Sequence, residues 1–480
     1  MKVHPSPAPR ALPAGISDIL AVAFSTTVAM WAVGYVGYMP LTNVRPAIFL
    51  TLMLACLIVG GWVAGRYSRR GALGGAWIGL MTAALNLLVL GSLIMHPPQG
   101  QAVPHAWLWL PGVFVVSPLL AAVGAMAGRQ CIRHTPSAGT EYTGVRHTEC
   151  ADYIAEPNWI AGIAWAACAA ALLLITVGGL VTGFRAGMAV PNWPGSFEYN
   201  MFLYPLALMT GGVFYEHAHR LLGTLLGAGT LILAIYLTLT LRQRKGLVAL
   251  IWAVGICVLI QGILGGYRVT EDSYALAVIH GAFAHAVLAG LVVIAVMLSR
   301  AWLPVGWTSS PSPDSDGLEV HPTTSDRILV VVLVASTLVQ TLLGVLVRQL
   351  NVLLLTHITV ATLVALVAVG AGMRAWGANP RAASLRRCGS ALMIVLVIQL
   401  VLGITAVAFR TPSIDASPKL ETLADLDTKL PVAPVPALIT TAHQANAAVM
   451  LWVSAMLAAW TWRPVVPESS AQEVGKSRLG

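Results

Sequence analysis

Residues 246–266 read GLVALIWAVGICVLIQGILGG, twenty-one positions without a charged side chain. Arg242-Gln243-Arg244-Lys245 precede the run and Arg268 follows it. A helix needs about 20 such residues to cross a bilayer. Lipid offers no partner for unpaired backbone groups, so the run is predicted to be helical. Reading outward from it gives about twelve stretches of this kind. They cover 16–38, 47–65, 72–95, 106–127, 159–182, 214–241, 246–266, 276–299, 327–347, 353–373, 387–409 and 438–462. The short alternating strands of a membrane barrel are not seen. The predicted class is an all-α polytopic membrane protein.

Composition agrees. Of 480 residues, 57% are hydrophobic and 10% charged, where soluble chains carry roughly 25% charged residues. The mean hydropathy is +0.78. These values exclude a water-soluble enzyme and a disordered chain. The net charge of +9 does not imply a nucleic-acid partner, because basic membrane proteins keep such charge in their inner loops. Arg66, Arg69 and Arg70, then Arg129, Arg133 and Arg146, then Arg242, Arg244 and Lys245 fall on one side. Arg374, Arg381, Arg386, Arg387, Arg463 and Lys476 join them, while Glu271, Asp272, Asp415 and Asp425 lie in the intervening loops. Both termini are therefore expected in the cytoplasm, in a bacterial-type plasma (inner) membrane. The short, Pro-rich start, Met1 to Gly15, has no cleavage-type site, so no signal peptide is expected.

One two-helix pattern recurs from about residue 159 onward. A helix ends in a Leu-Gly step followed by Arg, and the next helix carries His near its start. Three copies run Gln261 to Gly265 and Arg268, Gln340 to Gly344 and Arg348, and Gln399 to Gly403 and Arg410. The first, Val177-Gly178-Gly179 to Arg185, lacks the Gln. The histidines that follow are His219, His280, His357 and His443. Each is expected about 4–6 residues into its helix, so the four share one depth. Buried polar residues in spans are functional candidates, and paired imidazoles in a helix bundle suit haem iron. The glycines would let a flat macrocycle approach the backbone, and the arginines would pair with its propionates. No Cys or carboxylate cluster accompanies these histidines, which disfavours zinc there.

The segment Tyr215-Glu216-His217-Ala218-His219-Arg220 is the sharpest. Glu216 and His219 are three apart and share a helix face, whereas His217 points nearly opposite. His219 is therefore read as the ligand, with Glu216 beside the porphyrin edge to stabilise a developing cation or accept a proton. His285, about 140° round the helix from His280, is read as structural or as support for a ligand.

Here the sequence resembles the haem A synthase family (CtaA type). The resemblance rests on Glu216-x-x-His219-Arg220, the Pro191-Asn192-Trp193-Pro194 loop, the three Gln-x-x-Leu-Gly steps, Ile279-His280-Gly281 and Thr440-Thr441-Ala442-His443-Gln444, and covers about 159–462. It implies oxidation of the C8 methyl of haem O to a formyl group, giving haem A for a terminal oxidase. It implies that His219 and His280, with Arg220, face haem O or A, that Glu216 is catalytic, and that His357 and His443 ligate haem b. Implied partners are membrane electron carriers, haem O synthase and terminal oxidase assembly factors. Many members carry an outer-loop cysteine pair; here Cys56, Cys168 and Cys257 fall within helices and Cys388 at an inner end. The other two cysteines form Cys131-x2-His134 and His147-x2-Cys150, a set with the residue types of a zinc site.

The expected organisation is a four-helix membrane extension (1–127), a cytoplasmic connecting loop (128–158), a first four-helix half for the substrate haem (159–302), a linker (303–326), a second four-helix half for haem b (327–462) and a tail (463–480). The two halves make an eight-helix bundle of pseudo-repeats. The extension has no copy of the His unit and is read as a docking or regulatory module. His96 and His105 are read as solvated loop residues. Two further readings stand beside the enzyme: a di-haem cytochrome b-like electron-transfer protein, and a transporter.

Overall fold

A computed structural model describes residues 16–42, 44–68, 70–96, 101–102, 105–133, 157–302, 322–377, 383–409 and 433–463. Its described residues form twelve long helices: α1 (Ser17–Tyr38), α2 (Pro46–Tyr67), α3 (Ala72–Ile94), α4 (Ala106–Arg133), α5 (Trp159–Gly183), α6 (Gly211–Thr240), α7 (Lys245–Thr270), α8 (Tyr274–Leu298), α9 (Thr324–Leu350), α10 (Leu354–Gly377), α11 (Ala383–Ala408) and α12 (Pro434–Thr461). A two-residue strand pair, β1 (Met95–His96) and β2 (Gln101–Ala102), links α3 to α4. The chain is an all-α, multi-pass membrane protein. Helices of 22 to 30 residues extend about 33–45 Å at about 1.5 Å per residue, enough for a hydrocarbon layer of about 30 Å. Eleven are long and apolar enough to span. The twelfth, α12, is diluted by Thr440, Thr441, His443, Gln444 and Asn446. Large apolar side chains such as Leu73, Leu355 and Ile404 point outward, as lipid requires.

Local chemistry sets the helix ends. Pro46 and Pro434 open α2 and α12, where the missing N–H costs nothing. Thr323 and Asp326 form a reciprocal capping box at α9. Asn351 closes α9 in the left-handed region at φ 57°.

The chain divides into two compact units. The first comprises residues 1–170 and 194–248. Within it, Gly61 and Gly65 of α2 meet the α4 backbone at Ala121 and Ala125, and Gly124 and Gly128 of α4 meet α2 at Ile58 and Trp62. Gly75 and Gly79 of α3 meet α4 at Ala121 and Ser117. Small residues allow this backbone-to-backbone approach. The α1 helix also grips α6: the Phe24 ring covers Gly229, and the Tyr35 and Phe214 rings lie 5.2 Å apart.

The second unit comprises residues 171–193 and 249–480. Its core joins Val330 and Leu333 of α9, Val364 and Ala368 of α10, Leu392 and Leu396 of α11, and Leu457 of α12. Arg374 Nε lies 2.5 Å from Asp326 Oδ1, tying the end of α10 to the start of α9.

Candidate functional site

In the second unit the repeat becomes a physical object. Gln261 Nε2 on α7 donates to the His280 carbonyl at 2.7 Å. His280 Nδ1 lies 3.1 Å from the Gln261 carbonyl. A carbonyl only accepts, so Nδ1 carries the proton and Nε2 the lone pair. Gln340 Nε2 on α9 donates to the His357 carbonyl at 2.9 Å and lies 3.1 Å from the ring Nδ1. Gln399 Nε2 on α11 lies 3.4 Å from His443 Nε2, and its Oε1 accepts from Asn446 at 2.8 Å.

The glycine four positions after each Gln lies on the same helix face. A Cβ on Gly265 would stand 2.8 Å from His280 Cε1, one on Gly403 3.0 Å from His443 Cε1, and one on Gly344 3.2 Å from His357 Cε1. The space each glycine leaves is taken by an imidazole. Sequence reading assigned that space to a macrocycle and missed that each Gln and Gly form one notch. The i, i+4 spacing was the available signal.

The histidines are not at one distance from their helix starts. His219 falls eight residues after Gly211, His280 six after Tyr274, His357 three after Leu354 and His443 nine after Pro434. In the second unit the notch on the preceding helix sets their register.

His357 and His443 come together, with ring centroids 6.4 Å apart and planes at 77°. A metal about 2 Å from one nitrogen of each ring spaces facing ring centres about 6 Å apart. His443 Nδ1 and Gln340 Oε1 are buried without a hydrogen-bond partner. Separation, donor type and unsatisfied atoms all fit a bis-imidazole haem site.

The helix-end arginines bridge separate segments within the second unit. Arg348 donates to the Gly179 carbonyl at 2.6 Å, to Thr441 Oγ1 at 3.1 Å and to the Gln444 side chain. It thereby joins α9 to α12 and to residue 179 of α5. Arg268 donates to the Gly187 carbonyl at 2.5 Å. Both donate to neutral backbone or side-chain oxygens.

The first unit holds the Glu-His-Ala-His-Arg segment in the second turn of α6. Glu216 Oε1 and Arg220 Nη2 form an ion pair at 2.7 Å, with side chains 4% and 9% exposed. Arg220 Nη1 donates to the Gly195 carbonyl at 3.1 Å. His219 is half-buried. His217, set aside by sequence reading, is wholly buried, with Nδ1 2.9 Å from Ser196 Oγ and its ring 4.9 Å from that of Tyr204. Burial pushes the Tyr204 phenol up, and nearby Tyr199 adds to the effect.

His219 lies in the first unit and His280 in the second. His285 is wholly buried, its Nδ1 2.9 Å from the Gly281 carbonyl. Cys56, Cys168, Cys257 and Cys388 are free thiols on α2, α5, α7 and α11. Of the zinc set, the Cys131 side chain, His134, His147 and Cys150 lie outside the described residues. Among the described residues no group of three or more His, Cys, Asp or Glu is placed to hold a metal ion.

Comparison with known proteins gives one match: residues 196–356 fit the COX15-CtaA family, described as cytochrome oxidase assembly protein. This is the haem A synthase family. The matched span runs from the Ser196 turn to the start of α10 and contains Glu216, His219, Arg220 and His280. No curated protein and no solved structure matches the chain.

Proposed function

From the premise that residues 196–356 are cytochrome oxidase assembly family sequence, we propose that the chain is a haem A synthase, which oxidises the C8 methyl of haem O to the formyl group of haem A. The observation that carries the reading is a buried carboxylate, Glu216, one helical turn from His219 and ion-paired to Arg220. Electron transfer alone has no use for that carboxylate. In a low-dielectric site it stabilises positive charge developing at the substrate methyl, or takes the proton that leaves it. The ion pair with Arg220 holds the carboxylate in one place. The hydrogen bond from Arg220 to Gly195 holds the guanidinium in place.

His219 and His280 are the proposed contacts to the substrate haem. Haem b, held by His357 and His443, would supply one-electron redox chemistry to carry electrons from the substrate to a membrane carrier. The glutamines fix those two imidazoles, as outer partners of metal ligands do. The working orientation has the histidine ends on the outer face of a plasma membrane and both termini in the cytoplasm. Haem O synthase and terminal oxidase assembly factors would supply the substrate and consume the product.

The second reading, a di-haem electron-transfer protein, draws on the His357–His443 pair, whose ring centroids lie 6.4 Å apart. Turning the methyl into a formyl group takes an oxygen atom from water and releases electrons, so supplying haem O together with an electron acceptor to the purified protein, then extracting the pigment, tests the two. Formyl-bearing haem A supports the synthase. Unchanged haem O with bound haem b supports the cytochrome.

A further inference from the structure

We propose that His217 is a positioning residue: with Arg220 it clamps segment 195–204 onto the start of α6, and so keeps the Arg220–Glu216 pair in register. The inference rests on the reading of Glu216 as the catalytic carboxylate. The two grips are adjacent in the segment and one turn apart on the helix. Arg220 takes the Gly195 carbonyl, and His217 takes the next residue's hydroxyl, Ser196 Oγ, at 2.9 Å. Both Ser196 and His217 are wholly buried. A histidine so placed within a span needs a polar partner; Ser196 Oγ is that partner for Nδ1, while Nε2 is buried without one.

The segment is built to be held. Ser196 and Tyr199 exchange backbone hydrogen bonds at 3.0 and 3.1 Å, closing a turn around Phe197. Phe197 has φ 52°, a conformation bulky side chains adopt only where their surroundings impose it. Its ring stacks on Tyr204 with centroids 5.5 Å apart, Tyr199 meets Tyr204 edge-on at 5.6 Å, and Tyr204 packs on His217. His217 therefore anchors the aromatic cluster as well as the turn. Arg220 is shared between the Gly195 carbonyl and Glu216. A segment that slips takes Gly195 with it and draws the guanidinium off the carboxylate.

The test uses the full-length, haem-loaded protein with Ser196→Ala, His217→Ala, His217→Gln and the double variant Ser196→Ala/His217→Ala. Hydrogen exchange at the Ser196, Tyr199 and Leu203 amides should speed up roughly five- to tenfold in the two alanine variants, the size of one lost hydrogen bond. Glutamine, which can still reach Ser196, should restore slow exchange. For haem O conversion, kcat should fall with KM little changed, and the double variant should be no worse than the worse single one. Unchanged exchange in both alanine variants overturns the clamp, as does a double loss equal to the product of the single losses. Should His217→Ala fail to fold, Ser196→Ala decides alone, since it removes only one hydroxyl. If the native protein converts no haem O, the proposed function fails while the exchange result still decides the clamp.

Discussion

The histidines of the second unit and the histidine of α6 come from one repeat but stand in different chemistry. His280, His357 and His443 each rest in a notch formed by a glutamine and a glycine of the preceding helix. His219 has no such glutamine before it in the sequence, where the copy reads Val177-Gly178-Gly179. It shares its helix with a buried Glu216–Arg220 pair. The contrast separates holding from reacting. Neutral amides orient an imidazole without adding charge, which suits a residue whose task is to hold a haem. A buried carboxylate beside the fourth histidine offers a place for a proton or for positive charge.

The largest expected effect breaks that contrast at its reactive side. Glu216→Gln keeps an acceptor for Arg220 but removes the charge. Formyl production should fall by about 10²- to 10⁴-fold, the range of acid–base contributions, while bound haem stays. Product chromatography beside the haem absorbance checks both, and full activity removes Glu216 from the chemistry. On the holding side, Gln340→Leu removes the amide at His357. Haem affinity of the second unit should drop about 10- to 100-fold, as for other outer partners of metal ligands, read by titration of the absorbance. An unchanged affinity makes the notch mere packing.

The smallest effects form a series. Alanine at Gly265, Gly403 and Gly344 places a methyl against His280, His443 and His357 at increasing distance, 2.8, 3.0 and 3.2 Å. Spectral perturbation of the bound haem should follow that order, largest at Gly265 and smallest at Gly344. Equal perturbations, or a reversed order, show that the glycines do not seat the imidazoles.

Much of this was legible in the sequence because it depends on polarity alone. Runs such as 246–266 can only be membrane helices, and the expected spans overlap all twelve helices. The starts of α6 and α12 fell earlier than expected, at Gly211 and Pro434. Gly211-Gly212 and Pro434-Val435-Pro436 are poor helix formers by propensity, yet they open the two helices. The repeated Gln, Gly and His were visible as a pattern. Their mutual contact was not, because it joins neighbouring helices and depends on how they face. His217 was passed over by comparison with His219. A histidine on the opposite face still has to be buried against something, and its spacing of three from Arg220 placed both where one loop could meet them.

The central claim is that the chain changes haem rather than only holding it. The most direct measurement incubates the purified full-length protein with haem O and an electron acceptor, then extracts and separates the pigments. Haem A, with its formyl group, should accumulate in the native protein and not in the Glu216→Gln variant. Recovery of haem O unchanged, with haem b bound and competent for electron transfer, would contradict the claim and leave a cytochrome.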